Sequence, residues 1–296
     1  MTIETVTTIA QLRRRLEADR ASGRTVGLVP TMGYLHDGHL SLMRRARAEC
    51  DVVVTSLFVN PLQFAPDEDL SSYPRDRDRD LALADGVGVD LLFAPDTAEM
   101  YPQGQVRTSI TVAELSEGWE GTTRPSHFAG VATVVAKLFA IVGPCRAYFG
   151  EKDFQQLRVV TQMAADLSLP VEVVGCPIVR EPDGLAMSSR NVYLSTEERQ
   201  AALVLSRALA AGAAALADGA GPAAVESAMV EVVKTEPRAT LDYAALVEAT
   251  TLQVPSRPEG EMRLLVAAWV GSTRLIDNRA VSVGSSPPSA TQGGPA

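Results

Sequence analysis

Residues 26–42, VGLVPTMGYLHDGHLSL, decide the fold. An apolar run, Val26-Gly27-Leu28-Val29, is broken by Pro30. Gly33, His36, Gly38 and His39 follow, ahead of a segment of helical character over 40–50. A β-rich run, a Gly/Pro turn and a helix make the first half of a βα unit. The turn lies at the strand's carboxyl end, where open α/β sheets bind their ligands. The new helix's first N–H groups lack intrahelical partners and its dipole is positive at that end, which suits a phosphate. Of three histidines, His36, His39 and His127, two sit here at i and i+3, a spacing that puts both rings on one face of a helical turn. Each ring can donate to a phosphate oxygen, and imidazole is the side chain that changes charge near neutral pH. Gly33 and Gly38 leave room for close approach of backbone and ligand. A metal site would need a third or fourth ligand, and no Cys-x-x-Cys or His-Glu-x-x-His pattern accompanies the pair.

Working outward, residues 51–59 are a nearly unbroken β run, suited to a strand covered on both faces of a parallel sheet. It ends in Asn60-Pro61-Leu62-Gln63-Phe64, whose Asn60 and Gln63 are placed to face the same crevice. Residues 89–93 read as a further strand and 9–20 as a helix with a basic, solvated face. Residues 73–86 read as a helix whose alternating charges, Arg75 to Asp80, make an exposed ion-paired face. Short β pieces are expected over 108–112 and a turn over 118–121. His127 lies near the start of an apolar helix over 131–142, where it either meets an anion or caps the turn. A second strand–Gly–helix turn spans 146–167, with Gly150, Glu151, Lys152 and Asp153 at its bend, Gln156 on the helix's first turn and a strand over 171–174 after it. The chain has neither a Walker A loop nor Gly-x-Gly-x-x-Gly. After a Pro/Gly turn, Met187, Ser188, Ser189 and Arg190 offer two hydroxyls and a guanidinium in succession, a donor set for a polyphosphate.

Ser195 and Glu198 form a capping-box pattern. Beyond it the composition changes to an Ala/Leu helix over 201–217, a helix over 223–234 and β runs over 241–248, 263–270 and 274–281. The expected architecture is a Rossmann-like doubly wound parallel sheet over 1–178 and a smaller C-terminal α+β domain over 179–284. A Ser/Pro/Gly-rich tail over 285–296 is expected to be disordered.

The chain has 296 residues, 46% hydrophobic and 21% charged, as in ordinary globular proteins. Its formal charge of −9 argues against a broad nucleic-acid footprint. Cys50, Cys145 and Cys176 are widely spaced in apolar contexts and fit reduced thiols. With no basic-then-apolar leader and no apolar run that reads as long enough for a bilayer, the expectation is a cytoplasmic protein without membrane or nucleic-acid partners.

Five motifs, PTMGYLHDGH (30–39), FVNPLQF (58–64), HFAGV (127–131), GEKDFQQ (150–156) and MSSRN (187–191), stand in the order and spacing of one family. The chain resembles the pantothenate synthetases, pantoate–β-alanine ligases of the HIGH-motif nucleotidyltransferase superfamily, over about residues 22–284. The resemblance departs at Tyr34 and in the Arg-rich segment around Asp80, so no metal ligand is carried over to Asp80. It implies a ligase of coenzyme A precursor biosynthesis, a homodimer, that uses ATP and Mg²⁺. Pantoate would attack the α-phosphate of ATP, and β-alanine would then attack the pantoyl adenylate to give pantothenate and AMP.

On this resemblance His36 and His39 hold phosphates, with His39 as proton donor, while Lys152, Ser188, Ser189 and Arg190 neutralise developing charge. Met32, Gly33, Tyr34, Leu35, Asp37, Gly38, Gly150, Glu151, Asp153, Val179 and Met187 complete the ATP site. Gln63 and Gln156 grip pantoate, Pro30, Met32 and Phe64 wall its gem-dimethyl group, and His127 belongs to the substrate end. The 187–190 loop is the expected lid. Other nucleotidyl transferases, an aminoacyl-tRNA synthetase fragment and a non-catalytic nucleotide-binding module stay open as alternatives. A phosphate-bearing second substrate would call for Arg or Lys where Gln63 and Gln156 stand.

Overall fold

The fold was analysed in a computed structural model, which describes residues 3–284 except 67 and 105. The expected disordered tail, 285–296, lies outside the described residues. The chain divides into two units between Arg199 and Gln200.

In the first unit, β1 (Glu4–Val6) and α1 (Ile9–Ala21) lead into β2 (Val26–Thr31), α2 (Asp37–Glu49) and β3 (Val52–Leu57). Then come α3 (Arg77–Gly86), β4 (Leu91–Phe93), two short helices, α4 (Thr97–Met100) and α5 (Glu120–Thr123), and α6 (His127–Val142). β5 (Cys145–Gly150), α7 (Phe154–Asp166) and β6 (Val171–Cys176) complete the series, and the boundary falls within α8 (Thr196–Ala202). The six strands form one sheet, ordered β1-β4-β3-β2-β5-β6, and every pairing is parallel. Both faces are buried, as the continuous apolar runs require. Val29, Val53, Leu92 and Tyr148 pack with Leu40, Met43 and Ala46 of α2 and Ala84 of α3. The alternate residues Leu28, Val54, Leu91 and Ala147 are also fully buried.

After β2 the chain builds outward through β3 and β4, then crosses back to lay β5 against the other side of β2. The β2/β5 junction is therefore the topological switch point, where a doubly wound sheet opens its ligand crevice. Pairing across it is confined to Gly27–Arg146 and Leu28–Ala147. Pro30 does not break β2, which runs on to Thr31. It has no N–H to give a ladder, and it lies beyond the last β2–β5 pair, where the two strands have parted.

The segment over 179–199, expected to open the second domain, belongs to the first unit. Met187 N–H donates to Val179 O at 3.0 Å, and Ser189 Oγ donates to Tyr34 O at 3.3 Å. The expected β pieces over 108–112 do not form. That stretch is irregular, and Ile110 N–H donates to Thr133 Oγ1 instead of to a strand.

The second unit carries α9 (Val204–Ala217), α10 (Pro222–Lys234) and an antiparallel sheet, β7 (Ala239–Glu248), β8 (Gly260–Val270) and β9 (Thr273–Val283), in that order. α9 packs on β8 and β9, and α10 packs on β7. One expectation about membranes needs correcting. Thr196–Ala217 spans 22 residues with mean hydropathy 1.5, enough to cross a bilayer by length and composition. The helical path is interrupted at Leu203, whose N–H bonds to Gln200 O. Val204, Leu205, Ala208 and Leu209 are buried within the protein, as in a core helix.

Candidate active site

One cavity lies at the carboxyl ends of β2 and β5, and the two Gly-containing turns meet there. From the first turn it takes Pro30, Met32, His36, Gly38 and His39; from the second, Gly150, Lys152, Asp153 and Gln156. Gln63, His127, Val179, Met187, Ser188, Ser189 and Arg190 also line it. Five stretches far apart in the chain are thereby gathered around one space. Gly33, Tyr34, Leu35, Asp37, Glu151 and Phe64 do not line it. Leu35 is fully buried in the core beneath α2, and Phe64 packs edge-on against Tyr73, which does line the cavity, with ring centroids 5.8 Å apart.

His36 is not on the helix. It is the N-cap of α2 in extended conformation (φ −138°, ψ 172°), and His39 is three residues into the cap sequence. The rings nevertheless stack, with centroids 4.0 Å apart and planes at 34°. A Cβ on Gly38 would come within 2.8 Å of the His36 ring, so only glycine admits this stacking. His36 N–H donates to His39 Nδ1 at 3.4 Å. That nitrogen therefore accepts, and the His39 proton resides on Nε2. His36 Nδ1 is buried with no partner among the described residues. Burial pushes the His36 pKa down to about 4, with Lys152 adding to the effect. Burial and the neighbouring His36 push His39 down to about 3. The charge change is therefore displaced well below neutral pH, and at pH 7 both rings are neutral donors or acceptors.

His127 occupies the first position of α6. Its Nδ1 lies 3.0 Å from Gln63 O and its Nε2 lies 3.2 Å from Arg124 Nη1. A carbonyl only accepts and a guanidinium only donates, so Nδ1 carries the proton. Both nitrogens are engaged by the protein, and His127 fixes the Gln63 backbone. Burial and the adjacent Arg124 hold its pKa down to about 4. Asn60 does the same for the Gln63 side chain: its Nδ2 donates to Gln63 Oε1 and to Gly130 O, both at 3.2 Å. Asn60 Oδ1 in turn accepts from Tyr101 OH at 2.8 Å.

Arg124 and Tyr73 line the cavity and were not singled out in the sequence. Arg124 lies in a polar, irregular stretch, and Tyr73 reads in the sequence as the first residue of a helix that in fact begins at Arg77. Two adjacent carboxylates engage two arginines of the cavity. Arg124 Nε donates to Glu68 Oε1 at 2.7 Å, and Arg190 donates from Nε and Nη2 to Asp69 at 3.2 and 2.9 Å. Asp153 is half-exposed, and against the desolvation of its charge Lys152 and Arg190 hold its carboxyl below the ordinary value. Among the described residues no three His, Cys, Asp or Glu side chains gather to hold a metal ion.

The three depressed histidines imply acid lability. Unfolded histidine titrates near 6.5, so between that pH and about 4 the unfolded chain binds protons that the folded chain refuses. Stability is then fully present above 6.5 and falls as pH falls, by at most about 1.4 kcal/mol per pH unit for each histidine. Urea unfolding at pH 7.5 and pH 5 should show a lower midpoint at pH 5, and equal midpoints would contradict the neutral-ring assignment.

The family model described as Pantoate-beta-alanine ligase matches residues 4–280. A pantothenate synthetase of Heliobacterium modesticaldum is 56% identical over 262 residues, covering 88% of this chain and 93% of the relative. The crystal structure of a pantothenate synthetase from Thermus thermophilus superposes with a TM-score of 0.89 at 53% identity, covering 94% of this chain and 99% of that one. A pantoate-beta-alanine ligase from Francisella tularensis, solved in complex with beta-gamma ATP and beta-alanine, superposes with a TM-score of 0.78 at 31% identity. That match covers 94% of this chain and 97% of the other.

Proposed function

The chain belongs to the pantoate–β-alanine ligase family and condenses pantoate with β-alanine at the expense of ATP, and from that premise we propose that it does so through a pantoyl adenylate assembled in the β2/β5 cavity. The observation that carries this reading is the mixed lining of the cavity. The cavity is lined by Lys152, Arg190, Ser188, Ser189 and the paired histidines, and also by the neutral amides Gln63 and Gln156 and apolar Pro30, Met32, Val131 and Val134, with Gln63 Nε2 3.2 Å from Met32 Sδ. The first set suits a triphosphate. The second suits a small hydroxy acid with a branched carbon, and the further cation beside it, Arg124, is engaged by Glu68 and by Gln63 O.

In the first step pantoate's carboxylate oxygen bonds to the α-phosphorus and the bond to pyrophosphate breaks. Such a transfer needs positioning and charge neutralisation more than covalent help. His39 Nε2–H and the Lys152 ammonium donate to phosphate oxygens. An approaching polyanion favours imidazolium, so nucleotide binding is what raises the proton affinity of His39 toward its proposed donor role. Arg190 exchanges Asp69 for the leaving pyrophosphate. Gln63, held by Asn60 and His127, and Gln156 orient pantoate. In the second step the neutral amine of β-alanine attacks the acyl carbon and AMP leaves. Mg²⁺ would supply further charge neutralisation to the triphosphate, and among residues lining the cavity Asp153 is the carboxylate that would hold it.

The test is ATP–pyrophosphate exchange with Mg²⁺ and a panel of acids, β-alanine being left out. Exchange with pantoate alone supports acyl-adenylate formation, exchange with a different acid overturns the substrate, and silence despite ATP binding overturns the adenylate. A homodimer in the cytoplasm goes with the same reading, and light scattering on the purified chain decides the assembly.

A further inference from the structure

Asp80 belongs to a charge run whose other members Asp76, Arg77, Asp78 and Arg79 are exposed, yet it is only 2% exposed itself. Helical geometry explains the exception, since Asp80 and Ala84 lie one turn apart on the buried side of α3. Its Oδ2 accepts from Tyr34 N–H and its Oδ1 from Leu35 N–H, both at 2.7 Å. Tyr34 sits at φ 51°, a left-handed conformation that costs a non-glycine residue about 1 kcal/mol or more. Arg79 closes the outer side, with its Cζ 5.1 Å from the Tyr34 ring centroid and Nη1 3.8 Å from Asp80 Oδ1. The N–H groups of residues 34 and 35, which the sequence alone offers to ATP, are therefore occupied by a carboxylate of the same chain.

We infer that Asp80 is a positioning residue for the nucleotide end of the cavity. Its two oxygens lock the strained 34–35 backbone, and this sets where His36 caps α2 and where the stacked His36–His39 pair stands. The carboxylate does this without touching the ligand. The inference rests on the proposed assignment of that end to ATP.

Asp80→Asn keeps the shape and one acceptor oxygen while replacing the other with a donor. It should raise the KM for ATP about tenfold and leave the KM for pantoate within twofold. Adding Tyr34→Gly, which relieves the left-handed strain, should recover part of the ATP affinity. An Asp80 with only a structural role would lower the melting temperature and move both KM values together or neither, and that result would overturn the inference. Amide exchange in the ligand-free protein reads the hold itself: Tyr34 and Leu35 should exchange faster in Asp80→Asn, and unchanged protection would also overturn it. Because this arm needs no substrate, it stays informative if the exchange assay with pantoate fails.

Discussion

Lys152→Ala is expected to slow pantoate-dependent pyrophosphate exchange by about 10²–10³-fold, the usual effect of removing one preorganised charge from a site of developing negative charge. Lys152 stands at the end of β5, where the sheet has opened, with its side chain 20% exposed and Nζ 3.5 Å from Asp153 Oδ1. Its position is set by the backbone of a strand end, so the charge is in place before the nucleotide arrives. The loss should fall mainly on kcat, because negative charge on the transferring group and the leaving pyrophosphate grows between ground and transition states. Lys152→Arg should restore little: a guanidinium is wider and planar and does not act as a compact point charge. The fold should survive, since the side chain borders a cavity and not the core. Exchange within about tenfold of wild type for Lys152→Ala would remove it from the proposed mechanism, and a KM effect alone would make it a simple binding group.

The parts of this site legible in the sequence are those set by backbone topology. Strand-like apolar runs ending in Pro30, Asn60 and Gly150 give the three carboxyl ends, and parallel topology brings the β2 and β5 ends together at the switch point. Residue chemistry at those ends points to His36, His39 and Lys152, the family resemblance adds Gln63, and all four line the cavity. What the sequence hid depends on tertiary contact. Asp80 is indistinguishable by composition from its exposed neighbours, and its burial follows only from which side of α3 meets the 33–36 turn. Its four-residue spacing from Ala84 is the available signal. His127 reads equally as an anion ligand or a cap until Gln63 O and Arg124 appear on its two nitrogens. The boundary at 199 is hidden because the loop over 179–199 is polar and carries a turn, the composition of a linker, while its partners Tyr34 and Asp69 are more than a hundred residues away.

Gly130→Ala is expected to damage the pantoate end of the site as selectively as Lys152→Ala damages the nucleotide end. In an isolated helix the change would stabilise by about 1 kcal/mol. Here it is made against backbone. A Cβ at position 130 would lie 2.2 Å from Leu62 O, 2.5 Å from Leu62 C and 2.7 Å from Gln63 Cα. No rotamer relieves such contacts, so α6 must move away from the 3₁₀ turn Pro61–Gln63, at an overpacking cost of roughly 1–3 kcal/mol. The displacement is directed at function, because that turn carries Gln63 and is tied to α6 by the bond from Asn60 Nδ2 to Gly130 O and from His127 to Gln63 O. Overpacking therefore outweighs propensity, and the melting temperature should fall instead of rise. The KM for pantoate should rise by about tenfold or more, the loss of one well-placed hydrogen bond being worth that much. The KM for ATP should change little, since His36 and His39 stand at the N-terminus of α2 and Lys152 on the turn after β5, which do not rest on this contact. A variant with wild-type pantoate KM and a raised melting temperature would mean that α6 and the 3₁₀ turn separate freely, and Gln63 would then need another source of its position.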